Sequence, residues 1–243
     1  MGIKNWAKNI RGKTLYFPGQ FTKEFLGKEL ENYKEVFKKL GIKFTMLEED
    51  ISCGHELYQA GYKNEARNLA NKNFEIFKKN SITKIITNSP SSYHMFHKIY
   101  PELIRGWYIE VEHATVSILN ELKKIRIKEL EPEIITYHDP CKLGRYSEIY
   151  DEPRDVIKML GGKIYEMKLN RENALCCCAG AGMLENFPEV SRKMAHKRAK
   201  DIPIEVSKII IPCELAYSNL KSVTDKSTEF STFVLSKLRG AGL

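Results

Sequence analysis

The sequence predicts an α/β fold of two similar halves, each a small parallel sheet flanked by helices. Three observations carry that reading. Short β-branched apolar runs bounded by turn residues alternate with longer helical patterns, as buried parallel strands joined by helices do. The same order of elements occurs twice. Matching residues also lie equally far apart, 36 residues from Cys53 to Ser89 and 36 from Cys177 to Cys213.

In the first half, residues 14–17 precede Pro18-Gly19 and read as a strand. Residues 42–47 after Gly41, the "KIIT" of 84–87 and the "WYIEV" of 107–111 read as the next three. Helical patterns at 23–40, 56–80 and 114–127 separate them. The second half repeats this with strands at 134–137, 163–167, 208–211 and 230–235. "GIKFTML" (41–47) matches "GGKIYEM" (161–167), and "ITKIITNSPSSY" (82–93) matches "VSKIIIPCELAY" (206–217). Matching order with equal spacing indicates an internal duplication. The joint is expected near 128–133, around Glu131-Pro132, giving an N-terminal half of 1–130 and a C-terminal half of 131–243.

The 243 residues are 42% hydrophobic and 29% charged, which excludes a disordered chain. No apolar run approaches the roughly 18 residues of a spanning helix. The segment Met1-Gly2-Ile3-Lys4-Asn5-Trp6 lacks the apolar stretch of a signal peptide and the hydroxyl residue of a myristoylation site. A cytoplasmic protein is expected. The net charge of +8 is spread over doublets such as Lys38-Lys39, Lys78-Lys79 and Lys123-Lys124 on helical stretches. That distribution reads as solvated helix faces, with no nucleic acid expected; charge of this sign also suits an acidic protein partner.

Six cysteines carry the chemistry: Cys53, Cys141, Cys176, Cys177, Cys178 and Cys213. In a cytosolic chain, clustered cysteines point to metal or redox chemistry before disulfides. Cys141 and Cys213 each follow an expected strand, and Cys176–Cys178 precede the Gly-Ala-Gly of 180–182. Strand C-termini in a doubly wound sheet share one edge, where ligands collect. Three distant loops therefore deliver thiolates to one place. Soft sulfur suits iron and zinc. Adjacent cysteines diverge on extended backbone, which suits a cluster better than a single tetrahedral ion, and paired CxxC zinc knuckles are absent.

At these residues the chain resembles the cysteine-rich CCG domain family, that of the B-type subunit of heterodisulfide reductase and of related iron-sulfur proteins. The half-motif of that family is a Cys after the first strand, a vicinal Cys-Cys-Gly, and then Cys-x-x-Cys. It occurs twice, on two Rossmann-like halves. "YHDPCKLGR" (137–145), "YDEPRDV" (150–156), "NRENALCCCAGAG" (170–182) and "PCELAYSNL" (212–220) resemble the second copy. "YFPGQ" (16–20), "SCGHELYQAGY" (52–62) and "TNSPSSYHMF" (87–96) resemble the first. The resemblance implies that Cys141, Cys176, Cys177 and Cys213 hold a [4Fe-4S] cluster, cubane or non-cubane, with zinc as the alternative. The fifth ligand position falls on Ala216, and Cys178 occupies the glycine position.

In the first half the ligand positions fall on Gln20, Ser52, Cys53, Ser89 and Ser92. Serine and glutamine do not stand in for thiolates, so that half is expected to hold no cluster. The family cleaves a disulfide between two clusters, and this chain supplies at most one. The resemblance therefore implies an iron-sulfur redox subunit of a heterodisulfide reductase-like or related dehydrogenase complex. It would work with a ferredoxin-like subunit, a flavoprotein, or both, since the chain lacks a ferredoxin-type cysteine segment of its own. Two alternatives stand beside it: an assembly subunit with structural zinc or an empty site, and a free thiol at Cys53 or Cys178 carrying sulfur as a persulfide.

Further residues have two readings each. His138 and Asp139 either support the cluster or set a turn before a helix. Arg145 either balances negative charge at the site or makes an exposed ion pair. His55 and Glu56 would face the same cleft by pseudo-symmetry. His113 is expected to cap a helix. The Gly180–Gly182 turn allows close backbone approach without forming a dinucleotide fingerprint.

Overall fold

The computed structural model describes residues 12–243. The reading of the first six residues lies outside them. Seven strands form two parallel sheets among the described residues. In the first, β1 (Lys13–Tyr16), β2 (Ile82–Thr87) and β3 (Glu110–His113) lie in the order β1-β2-β3. In the second, β4 (Glu133–Tyr137), β5 (Gly162–Ile164), β6 (Lys208–Ile211) and β7 (Ser227–Glu229) lie in the order β5-β4-β6-β7. Thr45 bridges Leu15 on the outer side of β1, so the first sheet carries a vestige of the strand that β5 completes in the second. The backbone bonds correspond: Thr45 N–H donates to Thr14 O at 2.8 Å, and Tyr165 N–H donates to Ile135 O at 2.7 Å. The α/β class and the duplication are both present.

The strand expected at 42–47 is reduced to that single bridge, because no further backbone pairing extends it. The strand expected at 230–235 is instead a helix, Phe230–Gly240. Its apolar residues alternate less well than they recur at helical spacing: Phe230, Phe233, Val234 and Leu238 are all buried. The Glu229 carboxylate caps it, accepting from the N–H groups of Ser231 and Thr232. The final strand is the three residues just before.

Two expected helices are broken. The first becomes α1 (Gln20–Phe25) and α2 (Gly27–Lys39); the second becomes α3 (His55–Gln59) and α4 (Lys63–Lys79), interrupted at Gly61 with φ +89°. The remaining helices are α5 (Pro90–His94), α6 (Tyr100–Leu103), α7 (Ala114–Leu122), α8 (Asp151–Met159), α9 (Met183–Asn186), α10 (Pro188–Ala199), α11 (Glu214–Lys221) and α12 (Phe230–Gly240). Helices α2 and α8 end alike, on left-handed glycines Gly41 (φ +72°) and Gly161 (φ +81°).

The halves are fused by a pseudo-symmetric helix exchange. Helix α2 of the first half packs on α12 of the second, and α7 of the first packs on α8 of the second. Their apolar faces form one core, with Tyr33, Val36 and Phe37 against Phe233, Val234 and Leu238. Burying each such side chain contributes roughly 1.5–3 kcal/mol. A second core lies in the first half, yet it includes Leu143 and Ile149 from the loop after β4. A third, containing Cys177, backs the cysteine loops. No helix among the described residues is long and apolar enough to cross a membrane.

Candidate functional site

The C-terminal ends of β4 and β6 bring three loops together. The loop after β4 carries Cys141. Its approach is fixed by Asp139, which accepts two bonds from Arg154, at 2.7 and 2.9 Å, and one from the Arg171 N–H at 2.9 Å. Arg154 is 2% exposed and also bonds Glu166 and the Tyr150 carbonyl. Asp139 is thus an anchor of this loop. A buried ion pair with its remaining donors satisfied fixes geometry more than it adds stability.

The 176–178 turn is held from behind. Asn219 Nδ2 donates to Cys177 O at 2.7 Å, and Ser191 Oγ donates to Cys178 O at 2.7 Å. The Cys178 N–H donates to Cys176 Sγ at 3.3 Å. Cys178 sits at φ +60°, in the left-handed region that favours glycine. Cys213 is the N-cap residue of α11, with the N–H groups of Leu215 and Ala216 close to its sulfur.

The four thiols are neighbours. The Cys176 sulfur lies beside those of Cys141 and Cys177, and Cys213 is within electrostatic reach of all three. The neighbouring Cys141 and Cys177 thiols, the Cys178 N–H and the Arg145 charge hold the Cys176 thiol well below its ordinary value. Cys141 and Cys177 are pushed up by their thiol neighbour Cys176 and by burial. Cys213 is pushed up by burial and by Glu214. The thiols are not drawn around one point: no group of three or more His, Cys, Asp or Glu side chains among the described residues is arranged to hold a metal ion. Cys178 contributes a backbone N–H and stays half-exposed.

Cationic groups surround the sulfurs. Arg145 Nη1 donates to Ala174 O at 2.7 Å, two residues before Cys176, and its charge reaches Cys141 and Cys176. It makes no ion pair among the described residues, so the exposed ion-pair reading gives way to support of this loop. Arg198 is fully buried, within electrostatic reach of Cys177. It donates to His138 Nδ1 at 3.2 Å, Leu169 O at 2.8 Å and Asp201 Oδ2 at 2.6 Å, while Nη2 has no partner. An orphaned buried guanidinium nitrogen beside clustered thiols fits a site that takes up negative charge. His138, buried and next to Arg198, has its pKa lowered to about 3 and is neutral near pH 7.

The first half has the same backbone and different chemistry. Cys53 does not join the other cysteines. It is buried, Ser92 Oγ donates to its sulfur at 3.4 Å, and burial pushes its pKa up to about 12. An exposed persulfide carrier at Cys53 is therefore excluded. Ser89 Oγ donates to Glu214 Oε1 at 2.5 Å across the two halves. A Cβ on Gly19 would lie 2.6 Å from Ser89 Cβ and 2.8 Å from Glu214 Oε1. The Ser89 ligand position of this half is closed by packing. Burial raises the Glu214 pKa to about 7, and its second oxygen has no partner. His113 caps α7, accepting from the Thr115 N–H, and Nε2 faces Asn88 O at 3.2 Å.

Sequence reasoning missed Glu214, Arg198, Asn219 and Ser191. Only Glu214 carried a signal, its place next to Cys213. Arg198 lies on a helix rich in Lys and Arg, where nothing in the pattern separates the buried cation from the solvated ones.

Comparison with known proteins locates the chain. It is 34% identical over 173 residues to the "Probable iron-sulfur-binding oxidoreductase FadF" of Bacillus subtilis (strain 168), covering 70% of this chain and 24% of that protein. It is 34% identical over 174 residues to one subunit of the dihydromethanophenazine:CoB--CoM heterodisulfide reductase of Methanosarcina barkeri, covering 68% and 42%. It is 32% identical over 171 residues to the "EtfAB:quinone oxidoreductase" of Syntrophomonas wolfei, covering 68% and 24%. The chain spans less than half the length of these relatives. A glutamate racemase from Bacillus anthracis superimposes with a TM-score of 0.43 at 13% identity, over 95% of this chain and 81% of the racemase, a likeness too slight to argue from. The cysteine-rich domain matches twice, at residues 15–97 and 135–221, and the chain belongs to that family, CCG.

Proposed function

We propose that this protein is an iron-sulfur redox subunit whose one cluster is held by Cys141, Cys176, Cys177 and Cys213. The observation that carries the reading is that three loops bring these thiols into one neighbourhood, backed by the unpartnered nitrogen of Arg198. Four soft donors ringed by N–H groups and guanidinium charge suit a [4Fe-4S] cluster, whose potential rises with such bonds and charges. When bound, the cluster supplies one-electron transfer.

The residues of this chain do the rest. Asp139 and Arg154 hold the Cys141 loop, Asn219 and Ser191 hold the 176–178 turn, and Arg198 and Arg145 balance negative charge. The relatives named above include one probable iron-sulfur-binding oxidoreductase and one subunit of a heterodisulfide reductase. By that likeness the chain serves a heterodisulfide reductase-like or related dehydrogenase complex, receiving electrons from a ferredoxin-like or flavoprotein subunit. The cluster could also engage a thiol or disulfide.

The test is Cys177→Ser in anaerobically purified protein. The visible absorption and the EPR signal of the reduced form should vanish while the far-UV circular dichroism stays unchanged. Absorption that survives the substitution contradicts the ligand assignment.

A further inference from the structure

Helix α10 connects the cysteine loops to the surface. Its buried face is Ser191, Ala195 and Arg198, spaced i, i+4 and i+7. Ser191 Oγ holds the Cys178 carbonyl at 2.7 Å, and Arg198 bonds the Leu169 carbonyl at the other end of the helix. The opposite face is basic. Lys193, Lys197 and Lys200 lie along one stripe with Val190, and Arg192 flanks it; all are exposed. The one carboxylate on this helix is Glu189. None of these four cations forms an ion pair among the described residues; the pair that α10 does make is the buried one of Arg198 with Asp201. Helices α2 and α8 instead neutralise lysines one turn away, Lys34 by Glu31 and Lys158 by Asp155. At the end of α10 that lies on the 176–178 turn, two apolar side chains stand in solvent, Phe187 at 58% and Val190 at 47% exposure. Cys176 in that turn is the exposed member of the four thiols.

Charge alone does not single this helix out. Helix α4 also presents Lys63, Arg67, Lys72 and Lys79, exposed and without ion pairs among the described residues. What differs is the ground behind each helix. Helix α4 packs through Phe74 and Phe77 on the first-half core, whose Cys53 stands apart from the other cysteines. Helix α10 holds the cysteine turn itself. Apolar anchors beside a rim of unpaired cations match the anatomy of a docking face, and cations left unpaired favour an acidic partner. Electron transfer weakens steeply with distance, so a face next to the exposed thiol suits a partner that exchanges electrons. We propose that the outer face of α10, with Phe187 and Val190 as anchors and Arg192, Lys193 and Lys197 as the charged rim, is the docking surface for a small acidic electron-carrier protein. The lysines steer the carrier in and the two apolar side chains seat it over the 176–178 turn. The contact is of the small, transient kind. The docking face stands on exposure, charge and position; that its occupant carries electrons rests on the redox reading above.

The probe is a small acidic ferredoxin, titrated calorimetrically in its oxidised form into the purified full chain at about 50 mM salt, where surface charges are little screened. Saturable binding with a dissociation constant on the order of 10 μM is expected. Lys193→Glu combined with Lys197→Glu should weaken it by roughly tenfold or more, and Val190→Ser by about threefold. Lys72→Glu combined with Lys79→Glu on α4 changes the net charge equally and should cost less than about twofold. Absence of saturable binding, or equal losses in the two lysine pairs, overturns the proposal. Two further probes cover other occupants. Acyl carrier protein is acidic and has no redox chemistry; binding as tight as that of ferredoxin, with the same dependence on Lys193 and Lys197, overturns an electron carrier as the partner. Phosphatidylglycerol vesicles that bind through Lys193 and Lys197 where ferredoxin does not give the face to a lipid surface and overturn the proposal. Iron is assayed on the same samples after anaerobic reconstitution. Ferredoxin binding that depends on α10 in protein without iron upholds the docking face while the redox reading fails. Full iron content without such binding leaves the redox reading and overturns the face.

Discussion

Ser52-Cys53-Gly54 and Cys176-Cys177-Cys178 are the same turn with different side chains. Both put the third residue in the left-handed region, at φ +77° for Gly54 and +60° for Cys178. Both direct the N–H of that residue onto the side chain of the first, at 3.1 Å to Ser52 Oγ and 3.3 Å to Cys176 Sγ. Ser89 and Cys213 likewise cap equivalent helices. What differs is occupancy. In the first half the Ser89 hydroxyl and the Glu214 carboxyl fill the space; in the second the thiols remain together beside the buried Arg198 and the exposed Arg145. The fold is kept by backbone geometry, and the chemistry was lost or kept at individual side chains.

The largest expected effect that sharpens this comparison is on iron. Cys213→Ala should remove essentially all bound iron, and Cys53→Ala none, at a stability cost of about 1 kcal/mol for the small buried gap. Equal losses from the two variants would erase the distinction between the halves. Next is the anchor: Asp139→Asn should destabilise by about 3 kcal/mol in urea unfolding, because it leaves Arg154 short of its buried partner. The first-half counterpart of Asp139 is Pro18, so no equivalent loss exists there.

A third effect of similar size lies at the helix exchange. Burial raises the Glu229 pKa from 4.5 to about 7. Between those values the folded protein holds a proton that the unfolded chain has released. This contribution is whole below pH 4.5 and declines as pH rises through 7, by on the order of 3 kcal/mol. Glu229→Gln should flatten that part of the stability profile; an unchanged profile would assign the pH dependence elsewhere. The smallest effect is Cys178→Gly. It should stabilise by about 1 kcal/mol, by relieving the left-handed Cys, without altering iron content. Loss of iron in this variant would make Cys178 a ligand.

Much of this was legible in the sequence. Strand ends, duplication and the cysteine set follow from short β-branched runs and equal spacings, which are local features. The strand expected at 230–235 failed because a six-residue apolar run is short for separating the two periods; Phe230, Phe233, Val234 and Leu238 recur at helical spacing, and Glu229 caps the helix they form. The cross-half contacts were not legible. Ser89 meeting Glu214 and Leu143 entering the first-half core depend on how two sheets face one another, which no local pattern encodes.

The central claim is one cluster in one half. The measurement that tests it most directly is iron, zinc and acid-labile sulfide per chain on anaerobically purified protein. The account predicts about four iron and four sulfide per chain, with negligible zinc. About one zinc without sulfide would contradict it and make the cysteines a structural site; about eight iron would contradict the closure of the first half.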